Sequence, residues 1–303
     1  ARLARWPCGR AIPCRPPGRV PAALPSVRAS HPGVLPAPVT MNQVLQGDHC
    51  WVLGNDAEKI KAFHRRQQRV WQRKPALRAV YREWCRWIEA ARTKDAGMTL
   101  EIGGGIGNVK SLLPDVHASD LAWCPWLNAQ LDATRLPVRN ASLSNLICVD
   151  VLHHVGDPLA VFAEAQRCLK PGGRFILIEP YLSPVSRVFW RFHREAIDFQ
   201  VDLFQCTDGQ PTTGAFFDAN QAIPTILFTK QLKRVLTTFP QLRLVERRPC
   251  SYLAYPLSLG YQNFQLIPTF LLPPLLALER RLERLAEWCA FRIFVVFERL
   301  YSR

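Results

Sequence analysis

The segment Leu100-Glu101-Ile102-Gly103-Gly104-Gly105-Ile106-Gly107-Asn108 narrows the possible folds more than any other stretch of this chain. The apolar run from Met98 to Ile102 suits a buried strand. Glycines at 103, 105 and 107 let the backbone turn sharply and pass close to a ligand that side chains would hold away. A glycine triplet alone also fits an ordinary strand-to-helix turn. The dinucleotide fingerprint spaces its glycines as G-x-G-x-x-G, whereas here they alternate and no other pyrophosphate-binding segment is evident, which disfavours hydride transfer.

The order of elements beyond the loop points to the fold class. Val116 to Asp120 is a short strand ending in an acid, and Leu131-Asp132-Ala133-Thr134-Arg135-Leu136-Pro137 is a turn. Leu146 to His154 is a second apolar strand running into Asp150 and a histidine pair. A helical segment from Pro158 to Leu169 leads through Lys170-Pro171-Gly172-Gly173 into the strand Arg174 to Glu179. Strand and helix alternate, which predicts a doubly wound, Rossmann-like parallel sheet with its ligand crevice at the carboxyl ends of the strands. These residues resemble the class I S-adenosylmethionine-dependent methyltransferases of the small-molecule type, which carry E-x-G-x-G-x-G, D-A-x-x-L-P, D-V-L-x-H and L-K-P-G-G in this order. The resemblance is close from Met98 to Pro180. It implies a seven-stranded sheet with an antiparallel last strand, here with helices in front and a helical insertion before that strand.

Both the residue chemistry and the resemblance assign a cofactor pocket. Gly103, Gly105 and Gly107 are expected to pass under the amino-acid part of S-adenosylmethionine, with Glu101 anchoring the loop or the bound ammonium. Asp120 lies where a nucleotide fold puts a carboxylate for the ribose hydroxyls. The resemblance places Asp132 and the Ala133 backbone at the adenine edge and Asp150 beside the methionine moiety. Isolated aspartates also serve as turn or cap residues, the plainer role for Asp120 and Asp132. For chemistry, His153 is expected to face the pocket as a candidate general base, while His154 more often orients the loop in such strand ends. Glu179, at a strand end, is a candidate to bind an acceptor hydroxyl or act as base; the alternative is a carboxylate paired with an arginine. Beyond Pro180 the chain is expected to recognise substrate, with additions at about 181–228 and 255–290 and with Tyr181, His193 and Asn220 as candidate contacts; capping the next helix is the other role for Asn220.

Charge and composition are uneven. At 303 residues and 48% hydrophobic content, the chain can hold one large α/β domain with additions. Residues 1–40 hold six arginines, many prolines and no acid, and are expected to be disordered. Met41 is the first methionine, so translation is expected to begin there; a transit peptide is the alternative, against which the prolines argue. The formal net charge of +15 falls to +9 without that stretch, and Asn55 to Lys94 accounts for +8 of it. There Leu77, Val80, Tyr81, Trp84 and Ile88 recur at helical spacing after Pro75, predicting a basic helical cap over 41–97 ahead of the 98–303 domain. Its outer face is expected to be solvated, with an anionic membrane surface or nucleic acid as sharper alternatives. A nearly neutral crevice and the lack of an RNA-binding module disfavour nucleic acid.

Residues 242–245 and 291–297 look like a closing antiparallel pair, and Lys230 to Phe239 like a helix. The insertion Tyr255 to Glu287 is very apolar around Leu266 to Leu278, but too short and too broken by Pro268, Pro273 and Pro274 to span a bilayer. It is expected to form a lid or, secondly, a shallow membrane contact. Ten cysteines are scattered without a C-x-x-C pair and fit a reducing cytoplasm; no His/Cys cluster has metal spacing. The expected activity is methyl transfer to oxygen, less readily nitrogen, of a small or lipid-linked, sugar-containing acceptor, by a cytoplasmic protein that is soluble or peripheral at the inner membrane face. A catalytically silent scaffold of the same fold is the alternative.

Overall fold

The computed structural model describes residues 57–95, 97–190, 196–204 and 219–301. The expectations for residues 1–40, Met41 and His193 therefore lie outside the described residues. Two helices come first, α1 (Ala57–Arg73) and α2 (Pro75–Ala91). Proline opens α2 because its fixed φ suits a first helical turn and its missing N–H costs nothing there. The α2 stripe of Leu77, Val80, Tyr81, Trp84 and Ile88 is buried.

Seven strands make up the sheet: β1 (Met98–Ile102), β2 (His117–Asp120), β3 (Ala129–Gln130), β4 (Leu143–Val149), β5 (Leu169–Pro180), β6 (Leu242–Cys250) and β7 (Arg292–Arg299). They lie in the order β3-β2-β1-β4-β5-β7-β6, and β7 alone runs against its neighbours. Helix α3 (Asn108–Leu112) succeeds the glycine loop, and α4 (Pro158–Cys168) is capped by Asp157, whose carboxylate accepts from Leu159 N and Ala160 N at 3.0 and 3.1 Å.

Strand periodicity sorts the core onto two faces. From β4 and β5, Leu146, Cys148, Phe175 and Leu177 pack with Phe162 of α4 and Phe297, while Ile147, Val149, Ile176 and Ile178 pack with Trp84 and Ile88 of α2 and Phe294. Order reverses between β1 and β4, so the crevice opens outside the carboxyl ends of those two strands.

Three boundaries differ from the sequence expectation. Lys170 to Gly173 is a bulge inside β5 rather than a lead-in: Leu143 pairs with Leu169 and Asn145 with Arg174, with Gly172 at φ 77° between them. β6 runs on to Cys250, past the expected Val245, because an edge strand tolerates the polar Glu246, Arg247 and Arg248; the Arg248 guanidinium stacks 4.3 Å from the Trp87 ring. The helix expected at Lys230 to Phe239 begins as a wide π-turn at Ile226–Lys230 and regains α geometry at Leu232–Thr238.

Candidate active site

Parallel pairing alone gathers the acids. Glu101 is level with Ile147 and with Ala118, and Val149 with Ile178, so Gly103, Asp120, Asp150 and Glu179 emerge side by side from adjacent strands. The glycine loop then folds over the first two. Gly104 N donates to Ser119 O at 2.8 Å and Gly107 N to Gly104 O at 2.7 Å. Gly103 stands at φ 66°, and a Cβ there would sit 2.2 Å from Val151 Cγ2. Gly105, at φ 49°, faces open space: a Cβ added there would meet nothing nearer than Gly103 O at 4.0 Å. The two glycines serve different ends: one admits the Val151 side chain from the turn beyond β4, the other leaves the crevice clear.

Asp120 holds this loop. Its Oδ2 accepts from Gly105 N at 2.8 Å and its Oδ1 from Ala122 N at 2.9 Å. Burial pushes the Asp120 carboxyl up, and the two N–H donors pull it back. Helix α1 reaches the same place: His64 is buried, its Nδ1 lies 3.1 Å from Cys124 Sγ, and burial lowers its pKa against the opposing pull of Asp120. Glu101 is 3% exposed and lies beneath Gly104, and its Oε2 has no hydrogen-bond partner. Burial, together with the nearby Asp120, pushes its carboxyl up to about 8.

Asp150 has φ 55° and forms an ion pair with Arg292 of β7, Oδ1 to Nε at 2.9 Å. Burial raises its pKa against the pull of that guanidinium. Arg292 is itself buried, stacks 4.2 Å from the Tyr255 ring and donates to the Tyr255 hydroxyl. Tyr255 belongs to the insertion helix Ala254–Ser258. Three residues beyond that helix, the Tyr261 hydroxyl accepts from Asn108 Nδ2 at the start of α3 and bonds the Tyr81 hydroxyl of α2. The insertion thus reaches both sides of the crevice mouth.

Glu179 is fully buried and its oxygens are engaged. Oε1 accepts from Val151 N and Leu152 N at 2.8 Å each, and Oε2 is 2.8 Å from His153 Nδ1. Burial works to raise its pKa, but the His153 bond and the two N–H groups outweigh it and hold the carboxyl below its ordinary range. The partner is a histidine rather than the arginine considered from the sequence. His153 is buried and His154 exposed, their rings 4.2 Å apart.

Among the sequence candidates, Glu101, Gly103, Gly105, Gly107, Asp120 and Asp150 come together at the crevice. Asp132 is exposed just beyond Gln130, which pairs with Asp120; it accepts from Thr134 N and Oγ1 at 2.8 and 2.7 Å, the turn role, while Ala133 is half-buried. Tyr181 is not brought to this group: its hydroxyl donates to Glu287 at 2.8 Å. Asn220 reaches the His153 turn through its backbone, its N donating to His153 O at 3.0 Å, while its side chain ties segments together, accepting from Asp198 N and Ala222 N and donating to Asp198 O. Tyr81, Tyr255, Tyr261, His64 and Arg292 join the site although the sequence reading does not single them out for it; only Arg292, a lone cation opening the apolar run Ile293 to Phe297, carries a sequence signal. Among the described residues, no group of three or more His, Cys, Asp or Glu could hold a metal ion.

Part of the chain is similar to known proteins. Residues 100–177 match the model of a methyltransferase domain. An uncharacterized 37.1 kDa protein in transposon TN4556 of Streptomyces fradiae is 30% identical over 105 residues, 32% of this chain and 29% of that protein. The chain therefore matches less than a third of that relative's length. Similar solved structures include the Haloferax volcanii complex of the Trm112 methyltransferase activator with a methyltransferase (16% identity, 82% of this chain and 98% of that chain, TM-score 0.46). Others are a SAM-dependent methyltransferase from Archaeoglobus fulgidus (11%, 73% and 94%, TM-score 0.45) and geranyl diphosphate C-methyltransferase from Streptomyces coelicolor (12%, 72% and 77%, TM-score 0.41).

Proposed function

We propose, from the premise that residues 100–177 are a methyltransferase domain of the class I, S-adenosylmethionine-dependent fold, that the chain transfers a methyl group to an oxygen, rather than a nitrogen, of a small or lipid-linked acceptor. The observation that carries the S-adenosylmethionine part of this reading is the buried Glu101 carboxyl beneath the glycine loop; the oxygen acceptor is inferred from the proton acceptor assigned below. The Glu101 Oε2 is left without a protein partner, beside an Asp120 that holds Gly105 N. A buried, unmatched carboxyl is costly unless a cation arrives, and the ammonium of the methionine moiety is such a cation.

The residues present fit the cofactor. Glu101 would hold its ammonium, the open space over Gly105 would take its chain, and Asp120 retains acceptor capacity for two ribose hydroxyls. Asp132 and Ala133 N are assigned to the adenine edge. Asp150, fixed by Arg292, is assigned to the methionine side. When bound, S-adenosylmethionine supplies a methyl group on a sulfonium, an activated donor, so alignment of the acceptor supplies much of the rate. His153 is the proposed proton acceptor. Glu179 accepts from its Nδ1 and fixes the ring, which leaves Nε2 as the basic nitrogen; Glu179 is thus a positioning residue. The insertion, through Tyr255 and Tyr261, serves as the lid.

The test uses donor labelled in its methyl group, incubated with the full chain and with lipid or aqueous cell extracts. Label entering the organic phase supports a lipid-linked acceptor, and label in the aqueous phase a small one. No S-adenosylhomocysteine above background with either extract sinks the proposal.

A further inference from the structure

Away from the crevice, the second half of α1 and the segment 263–269 enclose an open groove of about 770 Å3. One wall carries Arg66, Arg69 and Arg73, the other Phe264, and no acid lines it. Among the described residues these three arginines make no ion pair or side-chain hydrogen bond. Ten others, such as Arg86, Arg167 and Arg174, are ion-paired. Lys74 plays a different part: it is buried, and its Nζ donates to Gly260 O at 2.7 Å and Gln262 O at 2.9 Å, tying the insertion to the α1–α2 junction.

The lip beside this groove is apolar and outward. Phe264 is 63% exposed, Leu266 62% and Phe270 76%. They are not loose ends. Ile267 and Leu272, interleaved with them, are buried on Ala76 at the start of α2, and Lys74 fixes the preceding turn, so the exposed side chains are held out by an anchored frame. Exposed apolar groups of this size mark a contact surface.

We propose that Arg66, Arg69 and Arg73 with Phe264, Leu266 and Phe270 form a face that docks on an anionic lipid bilayer. Lipid phosphates seat in the groove, and the apolar side chains enter the boundary between headgroups and acyl chains. Charge and apolar surface together select this occupant. A soluble phosphate would satisfy the guanidinium groups and leave the lip in water, whereas a bilayer satisfies both at one depth. The same insertion reaches Asn108 at the mouth of the crevice through Tyr261, so docking brings the crevice to the membrane. Only that last consequence rests on the proposed methyl transfer.

The test is vesicle flotation of the full chain, with neutral phosphatidylcholine and with the same lipid carrying about 30 mol% phosphatidylglycerol. The comparison includes the exposed-residue variants Arg66→Gln/Arg69→Gln/Arg73→Gln and Phe264→Ser/Phe270→Ser. Binding is expected only with the anionic vesicles. The triple variant is expected to lose about 100-fold in affinity, at about 5-fold per arginine near the surface. The Phe variant is expected to lose the binding that survives high salt, since screening removes the charge contribution but not the apolar one. Both variants should bind S-adenosylhomocysteine as the parent does, which separates loss of docking from loss of the cofactor site. Equal binding to both vesicles, an unchanged triple variant, or conversion of a dimer to a monomer by the Phe variant would each overturn the proposal.

Discussion

Replacing Glu101 by glutamine should stabilise the ligand-free protein while weakening cofactor binding, because the free state favours a neutral group at this site and the bound state an anionic one. The folded carboxyl titrates at about 8, against 4.5 in the open chain. A carboxyl raised on folding gives stability that is fully present below its unfolded pKa and is lost as pH rises through the folded one. The loss therefore spans roughly pH 4.5 to 8, at about 1.4 kcal/mol per pH unit, reaching about 5 kcal/mol in all and about 3 kcal/mol by pH 7. Glutamine mimics the neutral acid and does not titrate. At about 2–4 °C per kcal/mol for a domain of this size, Glu101→Gln should melt at nearly the parent temperature near pH 5 and roughly 10 °C higher at pH 7. Binding reverses the sign. A carboxyl with pKa near 8 is about 90% protonated at pH 7, so a cation docking on it releases close to one proton, measurable by calorimetric titration with S-adenosylhomocysteine in buffers of different ionisation enthalpy. The variant should release none and bind weakly. A melting difference between variant and parent that stays constant from about pH 5 to pH 9, or no proton release by the parent, would refute this role of Glu101.

Five further substitutions separate the parts of the site. Gly103→Ala meets Val151 at 2.2 Å and should destabilise by about 2–4 kcal/mol, whereas Gly105→Ala faces open space and should cost only about 1 kcal/mol, from its positive φ, while losing cofactor affinity; melting and titration of the pair tell the two roles apart. Arg292→Met leaves the Asp150 carboxylate without its ion-pair partner and should cost about 3–5 kcal/mol in denaturant unfolding, more than Asp150→Asn in the same assay. Glu179, held below its ordinary pKa, contributes stability present above about pH 4.5 and lost as pH falls through its folded value. Glu179→Gln should therefore flatten the acid limb of the melting curve and move the NMR signals of the His153 ring, whose Nδ1 loses its carboxylate partner.

The crevice acids are legible in the sequence because consecutive parallel strands must place their ends together: with Glu101, Asp120 and Asp150 at strand ends, pairing does the rest. The roof is not. Tyr255, Tyr261 and Arg292 reach the site from an insertion and a last strand far along the chain, and no local pattern says where an insertion folds back. Tyr181 lies close in sequence to a strand end, yet it is engaged by Glu287, more than a hundred residues later. His153 and Glu179 are separately legible as chemistry, but their pairing depends on the turn at Val151 and Leu152, whose N–H groups need an acceptor.

Calorimetric titration of the full chain with S-adenosylhomocysteine, beside Asp120→Ala, tests the cofactor site most directly. Micromolar binding by the parent is predicted, with its loss in a variant that still unfolds cooperatively, since the proposed ribose contact falls on the carboxylate that also holds the glycine loop. No binding by the parent, or equal binding by the variant, would contradict the assignment.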